Sequence, residues 1–214
     1  PELVRRQTSD HAMRIWIAGC STGEETYSLA MLCRETIADE QSNIKLQIFA
    51  SDVDADAIAN AREGFYPQTI EADISQERLA RFFSREEQGY RVLPELRSAI
   101  VFTVQDVLAD PPFSRIDLVS CRNLLIYLRP EAQEKVISLF HFALREGGIL
   151  LLGSSETIGH SDSRFEVISK PERLYRRIGR SRPGERDFSM GAGARIPARL
   201  GQVPALSRQA VLSE

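Results

Sequence analysis

Short apolar runs alternate with amphipathic stretches over the first 178 residues. Residues 14–19 (RIWIAG) are apolar enough to predict a buried strand. Within 24–37, apolar positions at Leu29, Leu32, Cys33 and Ile37 recur at helical spacing. Residues 45–51 predict a second strand, after which Asp54 is suited to N-cap a helix over 55–62 that stops at Gly64. Further strands are expected over 98–104, 116–121 and 149–153, with a late one over 173–178. Pro130 sits in the first turn of a helix running to about Leu144, which Gly147-Gly148 is expected to end. Strands that alternate with helices of this length imply βαβ units. The fold class is α/β, a doubly wound, mostly parallel sheet in three layers.

One stretch breaks this rhythm. Residues 64–99 supply 36 positions where a simple βαβ unit needs only a few. Within them 75–83 predicts a helix with Leu79, Phe82 and Phe83 on one face, and 90–93 a short strand. The reading is a small inserted subdomain, and insertions of this length usually serve function.

Charge divides the chain. Residues 179–214 carry six arginines against three acids, so they are +3 and the rest is −6, within a net charge of −3. That tail has five glycines and three prolines and lacks apolar periodicity until its last ten residues. It is expected to be a flexible linker, with a helix starting over 205–214. The overall balance does not suggest nucleic-acid binding, and no apolar run approaches the ~18–20 residues of a membrane-spanning helix. Cys20, Cys33 and Cys121 are odd in number and lack CxxC spacing, so neither a metal cluster nor a disulfide framework is expected. A reducing, cytoplasmic setting fits them. Pro1 in place of an initiating Met carries the expectation that a longer protein contains this chain.

In an open parallel sheet, ligands bind beyond the carboxyl ends of the strands where strand order reverses. After the first strand comes AGCSTGEE, in which Gly19 and Gly23 allow a tight turn into a helix. It has neither the GxGxxG of a dinucleotide site nor the GKS/GKT of a P-loop, which argues against a nicotinamide oxidoreductase. Glu24 and Glu25 would repel a pyrophosphate and suit an ammonium or hydroxyl groups; the alternative is that they merely complement the helix dipole. The second strand ends at Asp52, a position that commonly accepts ribose hydroxyls. The third expected strand ends at Asp106-Val107, suited to an adenine edge. The fourth ends at Cys121-Arg122-Asn123, with Tyr127 four residues on. Asn123 capping a turn and Arg122 pairing with a nearby acid is the alternative there.

Together, IWIAGCSTGEETYSLAM, FASDVDADAI and VQDVLADPPFSRIDLVSCRNLLIYL resemble the methyltransferase domain of the chemotaxis receptor methyltransferases, the CheR family. The resemblance spans about 12–178, and the CRN-x-x-IY element is specific to that family. It implies a class I methyltransferase-like fold, S-adenosyl-L-methionine as cofactor with S-adenosyl-L-homocysteine as product, and O-methylation of glutamate side chains on receptor cytoplasmic helices. Carried over by motif, Gly19, Glu24, Glu25, Asp52, Asp106, Val107, Arg122 and Asn123 would bind the cofactor, Glu25 more than Glu24. Arg122 and Tyr127 would serve catalysis. Many family members have Asn where this chain has Asp106. His11, His141 and His160 need no catalytic role.

The wording is closest to proteins that fuse this domain to a CheB-type methylesterase, so fused signalling domains on either side are expected. The family's all-helical N-terminal domain and its Asn-x-Thr-x-Phe-Phe-Arg segment have no counterpart in these residues, and weak cofactor binding by this stretch alone is expected. The loop at 85–91 is shorter than the glycine-rich loop of pentapeptide-tethered members, which implies the tether-independent subtype. A competing reading is a catalytically degenerate module that binds S-adenosylmethionine or S-adenosylhomocysteine, or only scaffolds.

Overall fold

The computed structural model describes residues 1–7, 11–159 and 163–179; the expected linker beyond 179, the helix over 205–214 and His160 lie outside them. A short helix α1 (Glu2–Arg6) precedes β1 (Met13–Ala18), α2 (Glu24–Asp39), β2 (Leu46–Asp52) and α3 (Ala55–Glu63). The insertion supplies β3 (Phe65–Pro67), α4 (Gln76–Phe82), β4 (Phe83–Glu86), β5 (Gly89–Val92) and α5 (Pro94–Arg97). The chain continues through β6 (Ile100–Val104), β7 (Ile116–Cys121), α6 (Pro130–Ala143), β8 (Leu144–Leu152), β9 (Phe165–Ser169) and β10 (Leu174–Arg177). No described helix is long and apolar enough to cross a membrane.

The main sheet has seven strands in the order β6-β2-β1-β7-β8-β10-β9. Its first five pair in parallel, and β10 runs antiparallel to both neighbours. Successive strands leave β1 in one direction and return on its other side at β7. The order therefore reverses between β1 and β7, where such sheets bind ligands.

Alternation along β1 divides the core. Ile15 and Ile17 face the α2–α3 side, while Trp16 and Ala18 face α6. Trp16 is fully buried, its indole N–H donates to Ser51 Oγ at 2.9 Å, and its ring meets Phe113 and Phe140 edge-on, each at 5.3 Å. Asp54 caps α3 by accepting from Asp56 N and Ala57 N, and Gly64 closes it in the left-handed region, as its sequence implies.

Three expectations need correction. On α2 the buried face is Thr26, Tyr27, Ala30, Met31 and Ile37, and Leu32 is exposed. The face is rotated because Tyr27 reaches Ala61 O with its hydroxyl at 2.8 Å and draws α3 against that side. Phe83 leaves the helix and opens β4. Finally, Gly147 and Gly148 do not form a loop after α6: they lie inside β8, at a register shift against β7. Gly147 takes φ +75°, and a Cβ on Gly148 would lie 2.8 Å from Arg145 O, so the glycines permit a bulge.

Residues 65–92 build a separate three-stranded antiparallel sheet in the order β3-β5-β4, its β4–β5 hairpin closed by Glu87-Gln88 alone. Tyr66, Leu79, Phe82, Phe83, Tyr90 and Val92 join the same core as α2 and β1. The insertion is thus an extension of one side of the sheet's core.

Candidate functional site

The turn from Gly19 to Gly23 links β1 to α2 with φ +76° and +94° at its two glycines. A side chain on Gly23 would also approach Ala61 Cβ at 3.0 Å and the Tyr66 hydroxyl at 3.1 Å. The turn is fastened to the end of β2. Gly19 N and Cys20 N both donate to Ser51 O, at 2.8 and 3.0 Å. Ser21 N donates to Asp52 Oδ2 at 2.8 Å and Asp54 N to Oδ1 at 3.0 Å. Each Asp52 oxygen holds one N–H and retains further acceptor capacity.

The two glutamates that open α2 separate. Glu24 accepts from the neighbouring Thr22 hydroxyl at 2.8 Å and stays exposed. Glu25 turns inward across the sheet. It accepts from Ser120 Oγ at 2.5 Å through Oε1, and Arg122 Nη1 lies 3.5 Å from Oε2. Glu25 thus bridges the carboxyl ends of β1 and β7. Sequence reasoning passed over Ser120, although a serine following Leu-Val near the end of an expected buried strand was a usable signal; in the fold it is fully buried.

Beyond β7, Asn123 takes φ +59° and residues Leu125–Tyr127 form a 3-10 turn. Tyr127 is 80% exposed and Ile126 49%, and Val53, just past Asp52, is 69% exposed. Exposed apolar side chains therefore form a rim just beyond the ends of β2 and β7. Asp106 is drawn partly into its own turn: Oδ1 accepts from Leu108 N at 2.8 Å, while Asp106 N donates to Asp110 Oδ2 at 2.8 Å. Val107 packs half-buried against the α6-side core. Two sets of hydrogen bonds therefore cross neighbouring strand ends, one tying the Gly19–Ser21 turn to Ser51 and Asp52 and the other tying Glu25 to Ser120 and Arg122. Glu24 and Asp106 instead make bonds within their own turns.

Burial, then the Asp52 carboxylate, pushes the Cys20 thiol up to about 12. Cys121 is raised well above the ordinary thiol range by burial and by the Glu156 and Glu25 carboxylates, and burial lifts Cys33 to about 11. Folded thiols with raised pKa values retain protons that unfolded thiols release from about pH 8.5. Their stabilising contribution is complete below that pH and falls as pH rises toward about 12. Urea midpoints should accordingly drop between pH 8 and pH 10.5, and iodoacetamide at pH 8 should leave Cys20 and Cys121 unmodified in the native protein. Rapid native alkylation, read by mass spectrometry, would contradict this.

The glycine turn, the acid ending β2 and the CRN loop ending β7 meet at one edge of a sheet with this strand order. The family model for the CheR methyltransferase SAM-binding domain matches residues 1–174. The chain belongs to the CheR methyltransferase family. It is 43% identical over 182 residues to an uncharacterized 104.1 kDa protein from the hypE 3' region of Rhodobacter capsulatus, a match covering 85% of this chain and 19% of that protein. It is 32% identical over 182 residues to chemotaxis protein methyltransferase 1 of Pseudomonas aeruginosa, covering 82% of this chain and 66% of the relative. With the chemotaxis protein methyltransferase of Escherichia coli (strain K12), identity is 33% over 173 residues, covering 77% and 58%. The chain thus spans about a fifth of the first relative and less than two thirds of the other two.

The cofactor of this CheR domain is S-adenosyl-L-methionine. The donor set fits it. Glu25 and Asp52 offer carboxylate oxygens, which match an ammonium group and a pair of ribose hydroxyls, and Arg122 can pair with a carboxylate.

Proposed function

We propose that this domain catalyses S-adenosylmethionine-dependent O-methylation of glutamate side chains on the cytoplasmic helices of chemotaxis-type receptors. The observation that carries the reading is the Glu25–Ser120–Arg122 connection between the glycine turn and the CRN loop. In this reading Asp52 binds the ribose hydroxyls, Asp106 and Val107 border the adenine, and Glu25 meets the amino group. Arg122 and Asn123 line the same pocket from β7, and Tyr127 on the rim meets the incoming substrate.

When bound, S-adenosylmethionine supplies a methyl group on a sulfonium sulfur, which a carboxylate oxygen displaces to give a methyl ester and S-adenosylhomocysteine. A substrate glutamate is already ionised at neutral pH, since its free pKa is ~4.3. The site therefore needs no strong general base. Its residues have to orient the reactants and exclude water, and alignment alone supplies up to ~7–11 kcal/mol in ideal cases. Ser120 holds Glu25 in one rotamer, and the apolar side chains of Val53, Ile126 and Tyr127 favour a dry contact once a partner helix covers them.

The test is transfer of a labelled methyl group to receptor fragments by the whole protein, with calorimetry against S-adenosylhomocysteine alongside. Alkali-labile label on glutamate is the expected result. Tight binding of S-adenosylhomocysteine without transfer to any receptor fragment would favour a degenerate binding module. A lack of binding would remove the cofactor-site assignments.

A further inference from the structure

Residues 153–156 read GSSE, an ordinary polar turn after a strand, and nothing in that pattern singles out Glu156. In the fold Glu156 is 3% exposed. Its backbone N–H donates to Gly153 O at 3.0 Å, which turns the side chain back under the end of β8. There the carboxylate collects three backbone donors. Oε2 accepts from Gly153 N at 2.7 Å and Asn123 N at 3.2 Å, and Oε1 accepts from Leu125 N at 2.7 Å. No ion pair to Glu156 occurs among the described residues. Charge-assisted bonds from amides satisfy it instead, as a buried carboxylate requires. Gly153 makes room for this seat, since a Cβ there would lie 2.7 Å from Glu156 Oε2 and 3.1 Å from Asn123 N.

The same loop is held from its other side. Gln133 on α6 donates through Nε2 to Leu125 O and Leu128 O, both at 3.0 Å. Glu156 thus takes the loop's N–H groups and Gln133 its carbonyls. The held segment runs from Asn123 to Leu128, so it carries Asn123 and Tyr127 and follows directly on Arg122. Asn123 takes φ +59°, a left-handed conformation that asparagine adopts more readily than most non-glycine residues, and Glu156 binds its N–H there.

We propose that Glu156 is a positioning residue: by binding the amides of Asn123 and Leu125 it sets the loop that presents Arg122, Asn123 and Tyr127 to cofactor and substrate. This rests on the reading that the loop lines the methyltransferase site. The geometry calls for a carboxylate in particular. Glu156→Gln leaves one oxygen for at most two of the three donors and turns an NH2 group toward the remaining N–H. Glu156→Asp keeps the charge and withdraws it by one methylene.

Both variants are to be made in the whole protein and measured by S-adenosylhomocysteine calorimetry, methyl transfer at saturating cofactor, thermal melting and amide hydrogen exchange. Displacing a loop that aligns reactants is expected to lower affinity and kcat by ~10–100-fold in Glu156→Gln. Exchange at Asn123 and Leu125 should accelerate while amides in β1 and β2 stay protected. Wild-type affinity and kcat in a folded variant would overturn the proposal, as would a lowered melting temperature whose folded fraction still binds and turns over normally. Should Glu156→Gln fail to fold, Glu156→Asp carries the same expectations and the same overturning result. If the wild-type protein itself binds no S-adenosylhomocysteine, the site reading fails. Amide exchange at Asn123 and Leu125 in the variants then decides the clamp by itself.

Discussion

Asp52→Ala is expected to weaken S-adenosylhomocysteine binding by ~2–3 kcal/mol, the range for hydrogen bonds to a charged group, which is ~30–150-fold in affinity. The reason lies in what Asp52 already holds. Ser21 N and Asp54 N each occupy one lone pair and fix the carboxylate beside the glycine turn, leaving acceptor capacity on both oxygens for a ribose diol. Removing the side chain strips the proposed diol of its partner and loosens the turn. Both amides lie where water can replace the carboxylate, so unfolding free energy should fall by no more than ~1–2 kcal/mol. Calorimetry and urea denaturation on the same variant separate the two effects. Affinity within threefold of wild type would remove Asp52 from the site. A large stability loss with normal binding by the folded fraction would make it a purely structural residue.

Trp16→Ala should produce the largest stability change, a loss of ~3–5 kcal/mol. Trp16 sits on β1, the middle of the five parallel strands, fully buried, in T-shaped contact with Phe113 and Phe140. Phe113 in turn stacks on Phe49 at 4.6 Å, so the cavity would open between β1, β2 and α6. The deletion also leaves the buried Ser51 hydroxyl without the indole N–H. In a domain of this size the melting temperature should drop by roughly 6–20 °C. Trp16→Phe, which keeps most of the ring volume, should recover much of that loss. A loss below 1 kcal/mol in Trp16→Ala would mean that α6 collapses onto the sheet and refills the space.

Much of the architecture was legible because its signals are local. The cap at Asp54 and the stop at Gly64 bound α3 within a residue of the expected span, since both act through the backbone of their own turn. The strand over Ile116–Cys121 was placed to the residue, because a short, mostly apolar run rich in Ile, Leu and Val marks a strand buried on both faces even with Asp117 and Ser120 in it. β9 was missed for the opposite reason. It is an edge strand with Phe165 its one fully buried residue, so it has no alternation to read. The buried face of α2 was misjudged at Leu32, since which positions pack depends on where α3 and the insertion lie.

The strand-end residues divide in the same way. Gly19, Asp52, Arg122 and Asn123 could be singled out from the sequence, because their places after apolar runs mark the carboxyl ends of strands. The sequence by itself thus determined the α/β class, the turn chemistry after β1 and the candidate acids and cations. The family motif already favoured Glu25 over Glu24; only the tertiary structure decided that Ser120 holds Glu25 and that Glu156 and Gln133 grip the loop after β7. The physical reason is range. Caps, turns and apolar periodicity act over a few residues, whereas the bonds joining Glu25 to Ser120 and Leu125 to Glu156 close over 95 and 31 positions and exist only once the sheet has brought its strand ends together.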